Sequence, residues 1–297
     1  MTDNNAATST TLETLLRRDK IVTIVAIAFL VIIASLYTVF GVGMKMSAIE
    51  MTPGLTQPNT TMLNMEAKTP TSSQPRMVAP AMAAMTKMVM EPASWSITYG
   101  ILVFLMWWVM MVAMMLPSAS PMILLYTALI RKTQGEKNIF SEVSFFILGY
   151  LLAWCIFSVF ASLLQSQFEL RGWMSPMMME ATNNYLIVII LIAAGVYQLT
   201  PLKTACLEKC RQPANFLASY KNTWVRSPFR IGLVHGCYCL GCCWFLMGLL
   251  FIGGIMNLYW IIGLIMFVAI EKLHKKGELL GKVLGAGAVF LGMAYLV

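Results

Sequence analysis

Charged residues are scarce in this sequence. Aspartate, glutamate, lysine and arginine together make up 11% of the 297 residues, whereas 59% are hydrophobic. Globular domains carry about a quarter charged residues, so this composition excludes an ordinary soluble domain. The chain also lacks a phosphate-binding glycine loop, paired carboxylates and a Ser-His-Asp arrangement. No enzyme with one of those signatures is therefore indicated.

Long apolar runs are what the sequence has instead. Runs of roughly 20 apolar residues recur, which is the length of a helix that crosses the hydrocarbon core of a bilayer. We therefore predict an all-α, polytopic bundle of six to seven transmembrane helices. The predicted helices cover residues 21–43, 98–128, 143–166, 185–201, 231–253, 255–271 and 279–297. The short turn around Gly253, Gly254 and Asn257 leaves a re-entrant pair open as an alternative.

The distribution of positive charge predicts the orientation. With the N-terminus inside, the inner segments hold sixteen of the 21 Lys and Arg residues. Inner segments of membrane proteins are enriched in Lys and Arg. Topology thus explains the net charge of +8, and no nucleic-acid partner is needed. We expect a multi-pass protein of the cell membrane, in contact with the lipid bilayer.

Four parts of the chain differ in composition. Residues 1–20 are polar and are predicted to be a disordered cytoplasmic tail. Residues 21–43 are predicted to be an anchor helix, because the apolar run is longer than that of a signal peptide and no small-residue cleavage site follows. Residues 44–97 form a linker on the outer (periplasmic or extracellular) side. Residues 98–297 are the helical membrane domain.

Methionine is concentrated in the outer segments. Fourteen of the 25 methionines lie in residues 44–97 and 174–179, where no cysteine occurs. The thioether is a soft ligand that suits Cu(I). We therefore predict that Met82, Met85, Met88 and Met90 capture metal. An amphipathic segment over 77–90 is the alternative.

The second predicted helix is also rich in methionine. Met106, Met110 and Met114 share one stripe of it, while a second stripe has Met111, Met115 and Met122. We predict Met110, Met111, Met114 and Met115 as ligands of a soft cation. Packing is the alternative, because methionine fills apolar interiors well. Pro117 and Pro121 free two backbone carbonyls, and Ser118 and Ser120 are placed to bond to them.

The densest chemistry lies in the segment HGCYCLGCCW, residues 235–244. On a helix, Cys239, Cys242 and Cys243 share one face with His235, which lies a turn nearer the inner side, whereas Cys237 points away. Clustered thiolates select Cu(I), Zn or Fe–S, and the abundant methionine favours Cu(I). We therefore predict Cys239, Cys242 and Cys243 as metal ligands, with His235 as a separate, shallower ligand. Buried apolar cysteines and a redox C-x-x-C pair are the alternatives. Gly232, Gly236 and Gly241 would allow a close approach of neighbouring helices.

Two further cysteines, Cys206 and Cys210, lie in the basic inner loop between the fourth and fifth predicted helices. They could form a hand-off pair for metal. The interpretation we favour is two reduced cysteines in a reducing compartment.

Two blocks of the sequence resemble a known family. One is Cys239-Leu-Gly-Cys242-Cys243-Trp244, which continues to Glu271-Lys272, and the other runs from Trp107 to Pro121. Both are similar to the bacterial and archaeal predicted metal-binding integral membrane proteins of unknown function. The resemblance implies a multi-helix membrane fold and a metal, with copper suspected, and no established reaction. Glu271 is a candidate functional residue as an intramembrane acid, or a neighbour of a snorkelling lysine.

These observations favour an integral membrane, copper chaperone-like protein that binds Cu(I) through Met and Cys. It would pass the ion across the membrane or to a copper-accepting membrane protein. A non-catalytic subunit or assembly factor of a membrane copper enzyme is a second hypothesis. A membrane thiol-disulfide oxidoreductase is a third.

Overall fold

The computed structural model describes residues 3–41, 48, 49, 52, 95–134, 138–176, 178–220, 227–274 and 276–296. Within these ranges the chain is helical, apart from one isolated bridge between Met174 and Ala181. The helices are α1 (Asp3–Phe40), α2 (Ile97–Gln134), α3 (Ile139–Leu170), α4 (Asn184–Leu199), α5 (Pro201–Arg211), α6 (Pro213–Tyr220), α7 (Pro228–Gly248), α8 (Leu250–Gly253), α9 (Leu258–Leu273) and α10 (Gly277–Ala294). The all-helical prediction is thus confirmed for the described residues.

Five stretches are long and apolar enough to cross a membrane. They are Ile21–Phe40, Ile97–Lys132, Ile139–Leu170, Pro228–Gly253 and Gly277–Ala294. A sixth candidate exists if α4 and α5 together form one bent span. The α9 helix has only 16 residues, about 24 Å at 1.5 Å per residue, which is short for a crossing. Seven crossings and an inner N-terminus therefore stay predictions.

The first helix is longer than predicted. It begins at Asp3 rather than at residue 21, so the segment expected to be a disordered tail is helical from Asp3 onward. No glycine or proline occurs between residues 3 and 40, and these are the two residues that most strongly interrupt a helix. The apolar helix therefore continues backward through the polar segment.

The segment after α4 contains two helices that were not predicted. The Thr200 side chain accepts a hydrogen bond from the Lys203 backbone N–H, and Pro201 opens α5. Proline suits the first turn of a helix but disfavours helical geometry in the residue before it. The chain therefore turns through 65° between α4 and α5 and remains helical. As a result of this bend, α5 packs against α7.

Glycines let α3 and α7 cross closely. A Cβ atom added at Gly149 would overlap the Phe229 carbonyl, and one added at Gly232 would overlap the Phe146 carbonyl. A Cβ at Gly236 would lie 2.7 Å from that of Ala153. A second close approach joins α7 to α5, since a Cβ at Gly241 would lie 2.9 Å from the Cys206 Sγ. The expectation that Gly232, Gly236 and Gly241 permit close approach is confirmed.

Candidate metal centre

The cysteines of α7 divide as the helical wheel predicts. Cys239, Cys242 and Cys243 are each only 1% exposed, whereas Cys237 on the other face is exposed. All seven cysteines are free thiols. The buried trio faces α2, α3 and α5, which pack around this part of α7. The soft groups of the motif thus point into the bundle.

Two of these thiols bond to their own helix. The Cys242 Sγ donates to the Cys239 carbonyl at 3.1 Å, and the Cys243 Sγ donates to the same oxygen at 2.9 Å. In the described part of the chain, no three His, Cys, Asp or Glu side chains are arranged to hold a metal ion. A metal ion at this centre would therefore need a ligand of another type. Otherwise the Cys242 and Cys243 thiols would have to break their hydrogen bonds to the Cys239 carbonyl.

Methionine supplies that other ligand type. The Cys243 Sγ lies 4.0 Å from the Met115 Sδ of α2. Met110, Met111, Met114 and Met115 are at most 1% exposed. Both predicted methionine stripes therefore face the bundle rather than its surface. Packing and metal binding are both compatible with that burial, but only Met115 has a resolved sulfur contact with the cysteines.

Cys210 of α5 belongs to the same cluster. Its thiol lies beside those of Cys239 and Cys242, and the residue is partly buried. Cys206 lies one turn earlier on α5, against Gly241. Sequence reasoning favoured two unrelated reduced cysteines here. The i, i+4 spacing places Cys206 and Cys210 on one face if the segment is helical. The sequence did not predict a helix there, so this indication was missed.

A lysine completes the centre. The Lys272 Nζ, at the end of α9, donates to the Cys239 Sγ at 3.0 Å and to the Ser118 Oγ at 3.1 Å. The Tyr150 hydroxyl of α3 lies 3.2 Å from the same sulfur and donates to the Met115 carbonyl at 3.0 Å. Cys239 therefore sits between a cation and a phenol. From the sequence alone, Lys272 was interpreted only as a neighbour of Glu271.

The proline-rich part of α2 is stabilised locally. The Ser120 hydroxyl donates to the Pro117 carbonyl, which Pro121 frees, at 2.7 Å. The Ser118 hydroxyl donates instead to the Met115 carbonyl at 2.8 Å. One of the two expected serine contacts is thus observed. The other serine is part of the candidate metal centre, because its oxygen also accepts from Lys272.

His235 is buried among aromatic rings. It is 2% exposed, and the rings of Phe146, Tyr150 and Phe216 have centroids 6.2, 5.8 and 5.3 Å from its own. Its Nδ1 has no hydrogen-bond partner among the described residues. It forms no metal-holding group with the cysteines as they stand, so its role as a ligand stays a prediction.

Glu271 has a different partner from the one expected. Its carboxylate pairs with the Lys203 ammonium of α5, which also donates to the Gln198 side chain. Glu271 and Lys203 are both 2% exposed. Because residues 271 and 272 are about 100° apart on the helix, their side chains contact different neighbours. Glu271 joins α9 to α5, and Lys272 reaches the cysteines.

Buried methionines continue to the other end of the bundle. Met174 and Met179, expected in an outer loop, are 2% exposed, and Met256 is 1% exposed. The Met179 carbonyl accepts from the Ile255 N–H at 3.1 Å, which folds this loop onto the chain after α8. Met82, Met85, Met88 and Met90 lie outside the described residues.

A buried carboxylate at that same end was missed. Glu169 is 1% exposed and accepts from Gln165, Trp95 and Tyr99 at 2.7, 3.1 and 3.3 Å. Gln165 in turn accepts from the Trp107 Nε1 at 2.8 Å. The predicted helix ended at residue 166, so nothing in the sequence singled out Glu169. Trp95, Tyr99 and Trp107 lie 58 to 74 residues from the side chains they bond to, so only the fold reveals the network.

The burial pattern predicts the thiol reactivity. In the detergent-solubilised, reduced protein, a small membrane-permeant maleimide is expected to modify Cys237 first, because it is the exposed cysteine of α7. Cys239, Cys242 and Cys243 should react only after unfolding. Mass spectrometry against time measures this order, and Cys237→Ser should remove the rapid phase. Rapid modification in Cys237→Ser at any of the three buried thiols would contradict the geometry.

The fold and the site together define a class: a helical protein with spans apolar enough for a membrane, and a buried sulfur cluster at their centre. The chain belongs to the PpoB2 family, described as copper chaperones, whose model matches residues 104–295. The predicted resemblance is thereby supported as a copper-related family. No curated protein and no solved structure matches the chain significantly.

Proposed function

We propose that this protein is an integral membrane copper chaperone that binds Cu(I) through cysteine and methionine and delivers it to a copper-accepting membrane protein. Membership of a copper chaperone family supports the copper-handling role. The five or six apolar spans support a multi-pass location in the cell membrane. We further propose that the N-terminus lies inside and residues 44–97 lie outside, as the distribution of Lys and Arg favours.

The contact between the Cys243 Sγ and the Met115 Sδ carries this proposal. It joins the cysteine helix α7 to the methionine helix α2 with two soft sulfur atoms 4.0 Å apart in a fully buried setting. Thiolate and thioether ligands together favour Cu(I) over harder cations. Cys239, Cys242 and Cys243 are the proposed thiol ligands, Met115 is the proposed thioether ligand, and Cys210 is a further thiol within reach.

The remaining methionines suggest a path. Met110, Met111 and Met114 continue from Met115 along α2, and Met174 and Met179 are buried at the far end. Cu(I) captured by Met82, Met85, Met88 and Met90 would enter there. It would move from neutral thioethers to negatively charged thiolates, so that each step leads toward stronger ligands.

Copper binding by the purified full-length protein tests the proposal. Wild type in detergent under reducing conditions should hold Cu(I) in stoichiometric amount, measured by elemental analysis and by competition with a Cu(I) chelator. Replacing Cys239, Cys242 and Cys243 together by Ser should weaken Cu(I) binding by roughly 100-fold or more, a loss of about 2.7 kcal/mol. Met115→Leu, which preserves the volume but removes the thioether, should cause a smaller loss.

The chain offers a matched control for this experiment. Cys155→Ser with Cys237→Ser removes two thiols outside the cluster and should leave copper binding unchanged. Absence of Cu(I) from wild type, or equal Cu(I) in wild type and the triple serine variant, would contradict the proposal.

The thiol-disulfide alternative has less support from the geometry. Cys239 and Cys242 form the C-x-x-C pair, but both are 1% exposed. Thiol-disulfide exchange requires a partner sulfur to approach the attacking cysteine. The second candidate, an assembly factor for a membrane copper enzyme, differs from a chaperone only in the acceptor. Co-purification of a copper enzyme would favour it.

A further inference from the structure

Lys272 is a buried cation placed against a proposed metal ligand. It is 7% exposed, and its Nζ lies 3.0 Å from the Cys239 Sγ. The short α9 helix ends one residue later, at Leu273. The lysine therefore does not extend to a surface, as long basic side chains near helix ends commonly do. Its second contact, the Ser118 Oγ at 3.1 Å, is uncharged.

The buried charges around α9 form two pairs. Lys203 is compensated by the Glu271 carboxylate. The Lys272 ammonium is bonded instead to the Cys239 sulfur and to the neutral Ser118 hydroxyl. An ammonium has donors and no acceptor, so the sulfur accepts from it. A buried charge is tolerated when it has polar partners, and the Cys239 sulfur, 3.0 Å from the Lys272 Nζ, is such a partner.

We propose that Lys272 is the specificity-determining residue of the metal centre, and that its charge makes the centre selective for one monovalent soft cation, Cu(I) or Ag(I). This inference rests on the proposed function. Lys272 does not bind the metal. Its positive charge makes Cys239 and its neighbours bind a monovalent cation in preference to a divalent one.

Charge balance explains the selectivity. When Cu(I) is held by the thiolates of Cys239 and a second cysteine, the two thiols have given up their protons to water. Two thiolates, one Cu(I) and the Lys272 ammonium then sum to zero net charge. A divalent ion with the same ligands leaves one uncompensated positive charge. The three proposed thiol ligands are not arranged to hold one ion together in the described residues, so two of them are taken as the ligands of one ion.

Direct repulsion acts in the same direction. The Coulomb energy between two charges is proportional to their product, so Lys272 repels a divalent ion twice as strongly as a monovalent one at the same position. Burial strengthens this difference, because the interior screens charge less than water does. Removing the lysine charge should therefore favour divalent ions relative to Ag(I).

Competition between Ag(I) and Cd(II) tests the inference. Both ions are soft, and they differ in charge. The purified full-length protein in detergent is titrated with each ion, and the ratio of the two affinities is measured. Lys272→Met should lower the preference for Ag(I) by about tenfold or more. Lys272→Arg keeps the charge and should retain the ratio within about threefold. Lys282→Met removes an exposed lysine, paired with Glu278, and should leave the ratio unchanged.

The outcomes separate this inference from the proposed function. If wild type binds Ag(I) and a folded Lys272→Met protein keeps the wild-type ratio, the inference is overturned and the proposed function stands. If wild type binds neither Cu(I) nor Ag(I), both are overturned. Should Lys272→Met fail to fold, Lys272→Gln, which keeps a donor for Ser118 without the charge, carries the same expectation.

Discussion

Replacing Glu271 by glutamine is expected to lower the free energy of unfolding by about 3–5 kcal/mol, because it leaves the Lys203 ammonium buried without an opposite charge. Both groups of this pair are 2% exposed, so water cannot take the place of the lost carboxylate. The expected fall in melting temperature is on the order of 10 °C. Thermal unfolding of the purified protein in detergent, followed by tryptophan fluorescence, measures it.

An exposed ion pair of the same chemistry provides the control. Glu278 and Lys282 are spaced i, i+4 on α10, with side chains 39% and 46% exposed. Glu278→Gln should cost no more than about 0.5 kcal/mol. Replacing Lys203 and Glu271 together by Met should recover much of the loss, since it removes both buried charges. If the double replacement destabilises the protein as much as Glu271→Gln alone or more, the buried pair is not coupled as proposed.

Sequence reasoning predicted which cysteines of α7 share a face. A 100° step per residue places Cys239, Cys242 and Cys243 on one face and Cys237 on another, and the observed exposures follow that division. The methionine stripes of α2 are buried as the same argument implies. Both results depend only on local helical geometry and on a preference of apolar groups for the bundle interior.

The other components of the centre could not be predicted in this way. Cys210 reaches Cys239 only because the chain turns between Thr200 and Pro201 and continues as α5. That segment is polar, so the hydropathy pattern predicts a loop there rather than a helix. Proline marks the turn in the sequence, but it does not indicate which helix the next segment will contact.

Lys272 was missed for a related reason. Its role depends on the depth at which α9 ends, and a hydropathy pattern locates a helix end only within a few residues. Adjacent acidic and basic residues suggested one local pair. In the fold, Glu271 and Lys272 diverge, and each bonds to a residue more than thirty positions away. Long-range charge pairing requires the packing of the helices, which no local pattern contains.

Replacing Gly232 by alanine is expected to destabilise the protein by about 2–3 kcal/mol, although it adds only one methyl group. The new Cβ would overlap the Phe146 carbonyl, which is backbone and cannot rotate away as a side chain would. Overpacking of this kind costs about 1–3 kcal/mol, or more when the backbone must move. Elsewhere in a helix, Gly→Ala stabilises by about 0.5–1 kcal/mol.

The same helix offers the matched control for Gly232→Ala. Gly248 also lies in α7, and a Cβ added there would meet nothing within 4 Å. Gly248→Ala should therefore be neutral or slightly stabilising in the same thermal unfolding assay. If Gly232→Ala is equally harmless, the close crossing of α3 and α7 is not present in the protein.

The effect of Gly232→Ala should extend to the metal centre. The Gly149–Gly232 crossing sets the separation of α3 from α7, and this separation keeps the Tyr150 hydroxyl 3.2 Å from the Cys239 Sγ. Forcing the helices apart should weaken Ag(I) binding in any folded Gly232→Ala protein, whereas Gly248→Ala should leave it unchanged. Because neither glycine touches the metal, such a difference would connect the packing of α3 on α7 directly to copper binding.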